Sequence, residues 1–91
     1  MSEARQTKQV RVRVLFFGSA RDVVSENPLE ISLDCAATVG SAFETLVIRF
    51  PDLKRFGRSL LFAVNQEYAT RDNELHEGDE MAIFPPVSGG A

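Results

Sequence analysis

The chain has no tryptophan, one cysteine, one histidine and one tyrosine among its 91 residues. Each scarcity closes off a class of chemistry. A single thiol, Cys35, rules out an internal disulfide, a cysteine-rich zinc site and a four-cysteine iron–sulfur cluster. It is expected to pack as a small hydrophobe. The lone histidine, His76, lies in an acidic stretch and is expected to be solvated. No set of His, Cys and carboxylates has metal-ligand spacing. Glu77, Asp79 and Glu80 lack the oxygen count and spacing of a calcium loop. No glycine-rich phosphate loop follows a strand, and no serine sits in a nucleophile elbow. No apolar run approaches the roughly 20 residues that span a bilayer. Residues 1–7 hold no hydrophobic segment of a signal peptide. The expectation is a soluble, cytoplasmic protein that neither crosses nor anchors in a membrane, with no metal and no bound cofactor.

What is present is ordinary globular material. Hydrophobic residues make up 44% and charged residues 25%. A chain this size buries roughly 60–65% of its unfolded surface, enough for one core but not for a core plus a deep cleft. The net charge of -3 argues against nucleic acid as a partner, since a phosphate backbone demands a basic face. Charge is unevenly spread. Arg5, Lys8, Arg11, Arg13 and Arg21 outweigh Glu3 early on, whereas Glu67, Asp72, Glu74, Glu77, Asp79 and Glu80 face only Arg71 later. The later stretch reads as a solvated acidic loop or as a surface that steers a basic partner.

After a polar arm at 1–7, residues 9–17 alternate and predict a strand. Val10, Val12, Val14 and Phe16 share one face; Arg11, Arg13, Leu15 and Phe17 share the other. Gly18 ends it, and Ser19 is the expected cap of a short helix. Asn27-Pro28 signals a turn before a second strand, 29–34, antiparallel to the first. Thr38 is the expected cap of the main helix, 39 to about 50, with Val39, Phe43, Leu46, Val47 and Phe50 on its buried face. Residues 52–59 read as a polar connection broken at Gly57. A strand at 60–64, a turn at Asn65-Gln66, a short strand at 67–69 and a last strand at 80–84 complete the order. The expectation is an α+β domain over 8–84, in which a mixed sheet wraps one helix. If the first and last strands are parallel neighbours, Phe17, Phe84 and the tail share one side.

The tail is 85–91, Pro85-Pro86-Val87-Ser88-Gly89-Gly90-Ala91. Two prolines fix φ, favour an extended path and prevent another ladder rung. Gly89 and Gly90, lacking Cβ, can thread a channel too narrow for side chains. With other chemistry absent, a terminal carboxylate on such a probe is the candidate reactive group.

The strand order, Val14-Leu15-Phe16-Phe17, Phe62-Ala63-Val64-Asn65-Gln66, Gly78-Asp79-Glu80 and Ile83-Phe84-Pro85-Pro86-Val87-Ser88-Gly89-Gly90 resemble the small subunit of molybdopterin synthase. That is the MoaD family, grouped with ThiS among the ubiquitin-like sulfur carriers, and the resemblance covers about 8–90. It implies a β-grasp fold and a carrier that is not an enzyme by itself. An E1-like adenylating enzyme would spend MgATP to activate the carboxylate of Gly90, and a sulfur donor would convert it to a thiocarboxylate. The tail would then enter the large synthase subunit, in a heterotetramer of two small and two large subunits, and sulfurate a precursor pterin. Gly89 would permit entry. Phe17, Tyr68, Phe84, Pro85, Pro86 and Val87 would contact the large subunit, with Arg21 adding a polar contact. Sulfur transfer for thiamine or tRNA thiolation, and a non-catalytic ubiquitin-like modifier, are the alternatives. One departure stands out. The family pattern ends at the second glycine, whereas Ala91 follows here and leaves Gly90 without a free carboxylate. Processing, an added residue and an inactive carrier all remain open accounts of Ala91.

Overall fold

Alternation in Gln9–Phe16 produces the first strand, β1, with Val12, Val14 and Phe16 buried and Arg11 and Arg13 exposed. The computed structural model describes residues 9–86. The polar arm expected at 1–7, and Val87, Gly89, Gly90 and Ala91 of the tail, lie outside the described residues. After β1 come a single helical turn, α1 (Gly18–Arg21), then β2 (Leu29–Asp34), α2 (Val39–Arg49), a 3₁₀ helix (Pro51–Phe56), β3 (Leu61–Val64), β4 (Glu67–Ala69) and β5 (Glu80–Phe84). The five strands form one sheet in the order β2-β1-β5-β3-β4. β1 is antiparallel to β2 and parallel to β5, and β3 is antiparallel to both β4 and β5. The parallel pairing of first and last strands meets the condition under which Phe17 and Phe84 share one side.

One face of the sheet is filled by α2. Val39, Phe43, Leu46 and Phe50 are buried as predicted, with Ala42 beside them and Val47 half-buried. The helix meets the sheet through edge-to-face rings: Phe43 on Phe62 at 5.5 Å and Phe16 on Phe50 at 6.3 Å. Thr38 caps α2 in a reciprocal box, its hydroxyl accepting from the Ser41 N–H at 3.2 Å and Ser41 Oγ accepting from the Thr38 N–H at 2.9 Å. The Asn65-Gln66 turn between β3 and β4 places both residues at positive φ, +52° and +75°, as a two-residue hairpin requires.

Three expectations are corrected. Ser19 does not cap α1. Phe17 occupies that position, with φ -127° and ψ 158° and no side-chain hydrogen bond. Its N–H is tied to Ile83 O at 3.0 Å, which keeps Phe17 extended and starts the turn one residue before the hydroxyl. Residues 52–59 are not a plain polar connection. Pro51 opens a 3₁₀ helix, Leu53 is fully buried beneath it, and Gly57 at φ +58° follows its end. Cys35 is exposed, not packed, because it lies in the turn after β2 beside Ala36 at φ +77°.

Candidate functional site

Filling one face of the sheet leaves the other to be read by register. Phe16 and Phe62 are paired with Ile83 on the core side, so Phe17, Phe84 and Leu61 fall on the outer side. Leu61 is paired with Phe84, Ala63 with both Ala82 and Tyr68, and Leu15 with Ala82. Four large apolar side chains are exposed among the described residues. Three of them belong to this outer surface: Phe17 at 48%, Leu61 at 37% and Tyr68 at 80%. The rings of Tyr68 and Phe84 stand 5.9 Å apart, tilted by 50°. Leu15, Ala82 and Phe84 are half-buried between them. The result is an apolar patch at the end of the sheet where β5 runs out into Pro85 and Pro86, rimmed on its far side by Arg13 and Glu80, which are paired in register.

Of the residues singled out from the sequence, Phe17, Tyr68, Phe84 and Pro85 are brought together here. Pro85 is half-buried and Pro86 exposed. Arg21 is exposed at the last position of α1, one turn from the start of the tail. Gly90, Gly89 and Val87 lie outside the described residues. Sequence reasoning missed Leu61 and Ala63. Their outward orientation follows from the β3–β5 register, and a run such as Leu60-Leu61-Phe62-Ala63-Val64 does not reveal which alternate residues face out.

The acidic stretch does structural work. Glu77 accepts from the Arg11 backbone N–H at 2.8 Å and pairs with its guanidinium at 3.4 Å. Asp79 accepts from Asn65 Nδ2 at 2.9 Å and from the His76 N–H at 2.8 Å. The His76 ring is exposed, its Nε2 3.9 Å from the Glu74 carboxylate and its Nδ1 3.8 Å from that of Asp79. A shallow polar hollow of about 510 Å³ surrounds the start of α2, lined by Ser41, Glu44, Arg58, Arg71 and Asp72. The N–H groups of Val39, Gly40 and Ser41 there already donate to Asn73 O, Arg71 O and Thr38 Oγ1, so none is left for an anion. Among the described residues no group of His, Cys, Asp and Glu could hold a metal ion, and no helix is long and apolar enough to cross a membrane.

The apolar patch thus lies where β5 leads into Pro85 and Pro86, and comparison with known proteins places the chain in a family. The model of the ThiS family matches residues 14–90. The chain belongs to the ThiS family. Within it, the chain is similar to proteins named molybdopterin synthase sulfur carrier subunit. The one from Arabidopsis thaliana is 33% identical, over 97% of this chain and 92% of that protein. The one from Mycobacterium tuberculosis is 34% identical, over 89% and 99% respectively. Among solved structures, the small archaeal modifier protein 1 of H. volcanii superposes with a TM-score of 0.78 at 29% identity, covering 86% of this chain and 99% of that one. This ThiS-family domain therefore has the ubiquitin-like β-grasp fold, with one main helix held in a five-stranded mixed sheet.

Proposed function

We propose that this chain is the sulfur carrier of molybdenum cofactor biosynthesis, the small subunit of a molybdopterin synthase. The observation that carries the reading is the exposed apolar patch at the end of the central strand β5, where the chain runs out into Pro85 and Pro86, the residues that precede the diglycine in sequence. The relatives named as sulfur carrier subunits of that synthase support it.

In this reading the chain is not an enzyme by itself. An E1-like enzyme binds the patch and directs the carboxylate of Gly90 onto the α-phosphorus of MgATP. Pyrophosphate leaves and an acyl adenylate forms. A hydrosulfide equivalent attacks the acyl carbon, AMP departs, and the C-terminal thiocarboxylate results. The tail then enters the large synthase subunit, where the thiocarboxylate sulfur displaces an oxygen leaving group from a carbon of the precursor pterin, the C–S bond forming as the C–O bond breaks and the oxygen group departs. Water hydrolyses the resulting thioester, leaving sulfur on the pterin and the carboxylate on Gly90. Two transfers supply the two sulfurs of a dithiolene. Phe17, Tyr68 and Phe84 provide the apolar contact, Pro85, Pro86 and Val87 line the approach, and Arg21 adds a polar contact at the rim. Two small and two large subunits form the assembly. In this reading the chain binds no cofactor of its own and works in the cytoplasm.

The chemistry demands a free carboxylate on Gly90, so Ala91 must be absent from the working form. The experiment is to supply protein ending at Gly90 with MgATP, an adenylating enzyme and a sulfur donor, and to read its mass. Replacement of one oxygen by sulfur supports the proposal; an unchanged mass removes it. A second reading, a protein modifier, is favoured by the similarity to the small archaeal modifier protein. It predicts an isopeptide between Gly90 and a target lysine in the same mixture supplemented with lysate.

A further inference from the structure

The turn joining β1 to α1 is the surface on which the tail begins. Gly18 sits there at φ +59°, and a Cβ at that position would lie 3.0 Å from Pro85 Cγ and 3.1 Å from Pro85 Cδ. That spacing leaves no room for a side chain without movement of the proline ring. Both flanks of the contact are held. The Phe17 N–H donates to Ile83 O at 3.0 Å, which ties the turn to the strand that leads into the tail. On the opposite edge, Asn27 Oδ1 accepts from the Phe16 N–H and Asn27 Nδ2 donates to Phe16 O, both at 3.0 Å. Pro85 has its φ locked by its own ring. Seated on Gly18, it has little freedom to swing.

We infer that Gly18 is a positioning residue for sulfur transfer: its bare backbone is the seat of the Pro85 ring, and this contact sets the direction in which the tail leaves the sheet. The inference rests on the carrier reading proposed above. A small rotation at Pro85 is magnified over the five residues to Gly90. The docking patch does not depend on the seat, because Phe17, Tyr68 and Phe84 stand on the outer face of the strands. Loss of the seat should therefore misdirect the tail without weakening docking.

The test uses protein ending at Gly90, the adenylating enzyme, MgATP and sodium hydrosulfide, with thiocarboxylate formation followed by mass. In Gly18→Asn the backbone is tolerated, since asparagine accepts positive φ, but a Cβ is present. Its kcat should fall about tenfold while KM stays within about twofold, the signature of misalignment and not of lost binding. Pro85→Ala removes the ring that Gly18 seats and should lower kcat by a similar factor, and the double variant should lose little more than either single variant, because both remove the same contact. An unchanged kcat, a change confined to KM, or additive losses in the double variant would overturn the assignment. Should Gly18→Asn fail to fold by circular dichroism, nuclear Overhauser effects between Gly18 Hα and the Pro85 ring in the unaltered protein decide, and their absence overturns it. If the unaltered protein gains no sulfur, the carrier reading has failed, and the same Overhauser measurement still tests the seat.

Discussion

The ring of Tyr68 rests 5.9 Å from that of Phe84, and the two reach each other across the intervening strand β3. Tyr68 is 80% exposed, so the pair is a surface feature held in place by the sheet and not part of the core. Its neighbours in register, Leu61 and Ala63, extend it into a continuous patch.

If that patch docks the large synthase subunit, removing its most exposed ring should weaken binding with no loss of fold. Tyr68→Ala is expected to raise Kd about tenfold or more, and Phe84→Lys to raise it further by stranding a charge against an apolar partner. Isothermal calorimetry against the large subunit reads both, and wild-type affinity in either variant would take that residue out of the interface.

Leu61 provides an independent check, because only register assigns it to the patch. At 37% exposure it contributes little to the core, so Leu61→Glu should cost less than about 1 kcal/mol of stability. The same variant should lose affinity for the large subunit. A normal affinity would restrict docking to the aromatic residues.

Deleting Gly90 and Ala91 should abolish precursor conversion and leave the thermal midpoint where it was, because the core ends with β5 at Phe84. Conversion that survived the deletion would move the sulfur to another group.

Asn27 stands in for a missing rung. β2 begins at Leu29, opposite Val14, and Asn27 takes the place facing Phe16 with a side-chain amide that both donates and accepts. Asn27→Ala leaves both Phe16 groups without that partner and should cost about 1–3 kcal/mol. Urea denaturation measures it; a midpoint equal to that of the unaltered protein would mean that water replaces the amide without loss.

Local pattern carried much of the architecture. Alternation marked Gln9–Phe16 and Leu29–Asp34, and helical spacing with a Thr38 cap marked Val39–Arg49. These were legible because each periodicity reflects one buried face. The 3₁₀ helix was not legible: Leu53 is a single buried anchor in a polar stretch, and one residue has no period. Cys35 misled for the same reason, since residue type alone says nothing about the side of a turn. The patch was legible in part. Phe17, Ala82 and Phe84 declared their face through strand alternation, whereas Leu61 and Ala63 needed a register.

The sequence alone narrowed the chemistry: it holds few catalytic side chains, and the paired prolines and diglycine near its C-terminus carry the resemblance on which the carrier proposal rests. Only the tertiary structure decided where that terminus starts. Non-local pairing sets Ile83 beside Phe16 and Phe62, Tyr68 against Phe84, and Pro85 on Gly18. Such contacts join residues far apart in the chain, and their register is chosen by burial of a shared core that no single segment can specify.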